Sequence, residues 1–147
     1  MMRKFEIVTS YMDANINLPK RATKHSAGYD IESAKDYVIN PGEIQMIDTG
    51  IKVCMNDNEV LMIYPRSSLG IKKGLTMSNA VGIIDKDYYN NSNNEGHIMI
   101  PLFNFSQEKA LIQKGERIAQ GIFQTYLTTS DDTVQIERTG GFGSSGK

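Results

Sequence analysis

Apolar residues in this chain gather in short runs, notably at 37–39, 60–64, 97–100 and 117–123. Turn-forming pairs and triplets cut the chain between them: Ala27-Gly28, Asn40-Pro41-Gly42, Asn56-Asp57-Asn58, Lys73-Gly74, Asn90-Asn91 and Lys114-Gly115. Each supplies a fixed φ or a tolerance of positive φ, which tight reversals need. Short runs at this spacing predict many strands folded into an all-β sandwich or barrel. Ile outnumbers Leu 17 to 7, and 7 Tyr and 9 Thr add to the β-branched and aromatic bias. Such side chains lose χ1 freedom in a helix but pack well on a pleated sheet. Only 67–73 argues otherwise. It follows Pro65 and opens with Ser67 and Ser68, hydroxyl residues suited to an N-cap, so it predicts one short helix.

A chain of 147 residues suits one domain of ordinary size. Its 16 Lys and Arg against 17 Asp and Glu leave a formal charge of -1, without the basic excess of a non-specific nucleic-acid binder. With 39% hydrophobic and 22% charged residues, the composition is globular. The lone Cys54 cannot form an internal disulfide or a cysteine zinc site, which suits a reducing cytosol. No apolar run approaches the ~18 residues of a membrane span, and Glu6 comes too early for a signal peptide. The expectation is a small soluble protein of the cytoplasm, or of a host's cytoplasm for a viral chain, with neither nucleic acid nor membrane as partner.

Residues 130–147 differ from the rest. Only Val134, Ile136 and Phe142 are strongly apolar there, and four of the last eight residues are glycine. Composition alone reads this as a loose terminus. An aromatic ring between Gly141 and Gly143, however, either stays wet or closes onto something outside the tail. The run from Gly141 to Lys147 imitates the start of a P-loop, but a P-loop must follow a strand and open a helix, a setting the tail lacks. A weaker reading survives: glycine and serine N–H groups can form a concave anion nest.

Two carboxylates and one cation stand out. Asp30 sits in Ala27-Gly28-Tyr29-Asp30-Ile31, and Asp85 ends the apolar run 80–84. A carboxylate closing a hydrophobic strand is partly shielded from water, a setting for a general base or a cation contact; the commoner role is to cap the turn that follows. Arg66 beside Ser67 and Ser68 at a strand-to-helix junction offers a donor fork and free N–H groups to a phosphate, or simply a salt bridge and a cap. His25 and His97 lack metal-ligand spacing, and Cys54 reads as packing rather than as a nucleophile.

Taken in order, five segments resemble the trimeric dUTPase family: 27–31, Pro65-Arg66-Ser67-Ser68-Leu69-Gly70, Asn79-Ala80-Val81-Gly82-Ile83-Ile84-Asp85-Lys86-Asp87-Tyr88, Gly115-Glu116-Arg117-Ile118-Ala119-Gln120, and Arg138-Thr139-Gly140-Gly141-Phe142-Gly143-Ser144. The resemblance implies a β jelly roll over residues 1–129 and a C-terminal arm, 130–147, that closes over a neighbouring subunit's site in a homotrimer with shared active sites. It implies hydrolysis of dUTP to dUMP and pyrophosphate, which keeps uracil out of DNA and supplies dUMP for thymidylate synthesis. Asp85 would be the base activating water toward the α-phosphorus, and Asp30 would hold Mg2+ through water. Arg66, Ser67, Ser68 and Gln120 would contact the phosphates. Tyr88 would pack on the deoxyribose and exclude a 2′-hydroxyl. Asn79, with backbone near Gly82, Ile84, Ile98 and Met99, would read uracil. Phe142 would stack over the base, and Arg138, Gly143 and Ser144 would clamp the terminal phosphate.

Three departures accompany the match, one being Gly121 where relatives usually carry a larger apolar residue, a change that bears on packing along the trimer axis. Residues 89–95 form a polar insertion where relatives have a much shorter connection, and Arg138 precedes Phe142 by four positions, one fewer than the family spacing. The inserted loop reads either as a solvated excursion or as a surface for a regulatory protein partner, which would make the chain a nucleotide-responsive binding protein. A dCTP deaminase is the alternative within the superfamily, but its motif lacks the pairing seen here as Asp85 and Tyr88.

Overall fold

The computed structural model describes residues 2–141. Twelve strands form among them: β1 (Lys4–Ile7), β2 (Lys20–Arg21), β3 (Tyr29–Glu32), β4 (Tyr37–Ile39), β5 (Ile44–Asp48), β6 (Ile51–Cys54), β7 (Glu59–Pro65), β8 (Leu75–Met77), β9 (Gly82–Asp85), β10 (Met99–Asn104), β11 (Ala110–Ile112) and β12 (Arg117–Thr125). The one α-helix among the described residues is α1 (Ser67–Lys73). All strand pairs are antiparallel, in sheets β1-β6, β5-β10-β8, β11-β4 and β2-β3-β12-β7-β9.

One core joins the four sheets. Ile31, Leu61, Ile63, Ile118 and Ala119 come from the five-stranded sheet, Ile47, Ile100 and Leu102 from β5 and β10, Ile51 and Val53 from β6, and Ile39 and Ile112 from β4 and β11. Burying each isoleucine stabilises the fold by about 1.5–3 kcal/mol. An antiparallel barrel of the jelly-roll type results, matching the all-β expectation.

Local differences have local causes. α1 covers the predicted helical segment, but Arg66 occupies the N-cap position and no side chain caps it, so the serines lie inside the first turn. Gly74 ends the helix in the left-handed region, with its N–H bonded to the Leu69 carbonyl. The apolar run at 97–100 becomes strand only from Met99, because the His97 N–H bonds Asn94 and the Ile98 N–H bonds Ile51 before β10 begins.

β7 positions the chemistry. It pairs with β12 along its whole length, Ala119 opposite Pro65 through Thr125 opposite Glu59, and with β9 on its other side, Gly82 opposite Ile63 through Asp85 opposite Val60. Gly121 lies within this sheet. A Cβ there would approach Leu61 Cδ1 to 2.9 Å and Ile31 Cδ1 to 3.6 Å, so those side chains already fill the space. Gly121→Val should therefore overpack the core and cost about 1–3 kcal/mol, read as a lower urea midpoint at unchanged slope.

Candidate active site

The residues singled out from the sequence fall into two groups. The first surrounds a cleft of about 290 Å³ beside β8 and β9. Between these strands Ala80 takes a left-handed φ of 64°, and the Val81 N–H donates to the Asn79 carbonyl at 2.7 Å. That reversal puts Asn79 at the cleft. Gly82 keeps the cleft open: a Cβ there would crowd Ile63 Cβ at 3.3 Å. Ile63, Met77, Ile100 and Pro101 add apolar walls, Ile84 and Met99 line it, and Asp85 and Tyr88 complete it. Ile98 does not line it. It is fully buried, and its N–H and carbonyl bond Ile51 and Thr49.

Asp85 ends β9 as the last residue before a 3-10 turn at Lys86–Tyr88, yet its carboxylate makes no capping bond to that turn. The ordinary structural use of such an aspartate is absent. Instead, Asp85 Oδ2 accepts from Arg138 Nη2 at 2.9 Å, and Asp87 Oδ1 accepts from Arg138 Nε at 2.8 Å. The guanidinium lies 5.8 Å from the Tyr88 ring centroid, and the Arg138 side chain is only 10% exposed. The C-terminal segment thus docks on this chain's own cleft, and the shortened spacing to Phe142 does not stop the arginine from reaching it. Phe142, Gly143 and Ser144 lie outside the described residues.

The second group sits where β3, β12 and the start of α1 meet. Asp30 Oδ1 is 3.9 Å from Arg66 Nε, and Asp30 Oδ2 is 3.5 Å from Arg117 Nη1. Gln120 pairs with Asp30 on one side and Tyr64 on the other. Its side chain lies over Gly28, where a Cβ would collide with it. Arg66, Ser68, Lys72 and Arg117 border an adjoining cleft of about 350 Å³, and Ser67 is exposed beside it. Arg117 is a cation to which the sequence motifs assign no role; its place on the strand of Gln120 is the signal that could have found it.

These groups are well separated in one chain. Asp30 is level with Tyr64 across β12, whereas Asp85 is level with Val60. Three strand spacings of about 4.8 Å and four residues of about 3.4 Å put the two carboxylates on the order of 20 Å apart.

The insertion after Tyr88 is an ordered platform. Glu95 accepts from the Thr9 N–H and, with Asn90, from the buried Lys52 ammonium at 2.8 and 2.6 Å. His97 follows. Its Nε2 accepts the Gly50 N–H at 2.9 Å, its ring tilts against Tyr11 at 5.4 Å, and its carbonyl accepts the Tyr88 hydroxyl at 2.7 Å. Burial pushes the Tyr88 phenol up and holds the His97 imidazole below its ordinary pKa; nearby Asp48 and Glu95 oppose the histidine shift, while Lys35 adds to it.

Fold, cleft and divided charge groups define a β-barrel with a small part-polar cleft and a separate cationic cluster. A model of the dUTPase family matches residues 14–146. The chain is 54% identical over 147 residues to the deoxyuridine 5'-triphosphate nucleotidohydrolase of Lactococcus lactis, covering 99% of this chain and 98% of that one. It is 42% identical over 137 residues to the same enzyme of Rickettsia canadensis, covering 88% of each. The crystal structure of dUTPase from Streptococcus mutans superposes with a TM-score of 0.83 at 46% identity, over 86% of this chain and 98% of that chain. A phage phi11 dUTPase shares the fold at a TM-score of 0.75 and 22% identity, over 92% and 97%. The chain belongs to the dUTPase family. Among its described residues, no helix is long and apolar enough to cross a membrane.

A histidine held neutral by burial resists protonation that the unfolded chain accepts near about pH 6.5. Its contribution is complete above that pH and declines as pH falls toward the lower folded value. Urea stability should therefore drop between about pH 7 and pH 5, and His97→Phe should flatten that drop.

Proposed function

We propose that this chain is a dUTP diphosphatase, hydrolysing dUTP to dUMP and pyrophosphate. The observation that carries the reading is the Asp85 carboxylate, which lines the cleft and is not spent on capping its own turn. Uracil fills the cleft, where Asn79 and the backbone at Gly82, Ile84 and Met99 offer donors and acceptors to its edge. Cytosine presents a different pattern and would leave buried polar groups unpaired. The buried Tyr88 ring walls the sugar and leaves no room for a 2′-hydroxyl.

Asp85 takes a proton from a water as that water's oxygen bonds the α-phosphorus; the bridging oxygen departs with pyrophosphate. No covalent enzyme intermediate is needed. Arg66, Ser67, Ser68 and Gln120 supply donors to the phosphates, where preorganised donors favour the charge developing in the transition state. Arg138 pairs with Asp85 and Asp87, and the terminal phosphate is a third anion that it can engage. Its transfer frees Asp85 for water.

The donor set suits a metal brought by the nucleotide. No cluster of three metal-ligating side chains occurs among the described residues, and Asp30 is a single carboxylate facing two arginines. Mg2+ typically keeps several waters and takes one or two carboxylates with substrate phosphates, which fits Asp30 holding it through water. When bound, the ion would neutralise phosphate charge and make the α-phosphorus more electrophilic.

The same geometry supports a homotrimer with shared sites. On the order of 20 Å apart within one chain, Asp85 and Asp30 would not both reach one Mg2+-chelated triphosphate. Asp85 of one subunit thus works with Asp30 and Arg66 of a neighbour, and residues 130–147 form an arm that a neighbour can receive at the cleft described above. The half-buried lone Cys54 agrees with a reducing cytoplasm.

Asp85→Asn should lower kcat for dUTP by at least about 10²-fold while nucleotide binding persists; a full rate would remove Asp85 as the base. Mixed trimers of Asp85→Asn and Arg66→Ala chains, each inactive alone, should recover pyrophosphate release, because some sites then draw both residues from intact copies. Mixtures as inactive as their parents would show the sites to be unshared.

A further inference from the structure

We propose that Asn94, in the inserted loop, is a positioning residue that holds the Tyr88 ring against the sugar and thereby sets the preference for a 2′-deoxynucleotide. The inference rests on the dUTPase reading above and adds a residue that acts through Tyr88. The Tyr88 side chain is 5% exposed, and its hydroxyl has two partners. It donates to the His97 carbonyl at 2.7 Å and accepts from Asn94 Nδ2 at 2.8 Å. A phenol held by a donor on one side and an acceptor on the other has a defined position as well as a defined plane.

The amide itself is locked. Asn94 Oδ1 accepts from Asn91 Nδ2 at 2.8 Å and from the Gly96 N–H at 3.1 Å. Turning the amide over would set its NH2 against two donors and its oxygen against a hydroxyl whose proton is already given to His97. Only one orientation satisfies the group, and that orientation presents N–H to Tyr88. Behind it, Asn91 Oδ1 accepts the N–H groups of Asn93 and Asn94, both at 3.0 Å, and Asn91 Nδ2 returns to the Tyr88 carbonyl at 2.7 Å. Lys52 ties both ends of the loop to β6. The insertion is therefore a brace.

Asn94 also meets the C-terminal arm. A Cβ at Gly141 would lie 3.0 Å from Asn94 Oδ1 and 3.1 Å from Asn91 Oδ1, so the arm's backbone packs directly on these amides. Ser92 Oγ donates to the Thr139 carbonyl at 3.0 Å beside them. The same side chain thus supports the sugar wall from behind and the docked arm from above. A displacement of about 1 Å can cost on the order of 10²-fold where a group must meet a transition state, and excluding one hydroxyl depends on a comparable margin.

The test is the ratio of kcat/KM for dUTP to that for UTP, measured on the intact trimer. Asn94→Ala should lower this ratio about tenfold, mainly by improving UTP. Tyr88→Phe, which keeps the ring and the loop, should lower it similarly, and the double variant should lose no more than either alone. An unchanged ratio in Tyr88→Phe, or additive losses in the double variant, would overturn the proposal even if Asn94→Ala folds poorly. A wild-type enzyme that hydrolyses UTP as readily as dUTP would instead refute the underlying role of Tyr88.

Discussion

β7 is paired on both sides, and neither register can slip by one residue without turning Leu61 and Ile63 out of the core. That constraint carries the chemistry with it. The ladder to β9 leaves Asp85 level with Val60, while the ladder to β12 leaves Gln120 level with Tyr64 and, across it, Asp30. The cleft beside β8 and β9 and the Asp30, Arg66 and Arg117 cluster are consequently held at a distance that a rigid sheet cannot close. On the proposed chemistry, catalysis then needs association, and subunit contact becomes part of the active site.

Charge compensation follows the same division. Beside α1, Asp30 is balanced by Arg66 and Arg117; at the cleft, Asp85 and Asp87 are balanced by Arg138 from the C-terminal segment. Each carboxylate has a cation that an incoming polyanion can also engage. Exchange of one ion pair for another costs less than creating a charge contact from nothing, because a buried or half-buried charge is never left alone.

The insertion shows how polar sequence can be structural. Its asparagines look like solvated loop, but the Asn91 and Asn94 amides form a connected set of donors and acceptors around Tyr88 and Gly96. Left-handed backbone at Asn90, Glu95 and Gly96 makes that arrangement sterically accessible. The loop resembles a small hydrogen-bonded core placed beside the hydrophobic one.

Residue order by itself determines much of this protein. Short β-branched runs between turn residues specify antiparallel strands, since local sterics and alternation act over a few residues, and α1 forms where the pattern at 67–73 predicts it. Asp30 and Asp85 stand out as carboxylates within or closing apolar runs and Arg66 as a cation beside two hydroxyls, whereas Gln120 is named only by the family resemblance. What only the tertiary structure decides is the partner of each. The Asp85 carboxylate meets Arg138 rather than its own turn, Ile98 is spent inside the barrel, Asn94 reaches Tyr88, and Asp30 and Asp85 stand on distant parts of one sheet. Those facts depend on strand register and loop closure, which are set by contacts between residues far apart in the chain.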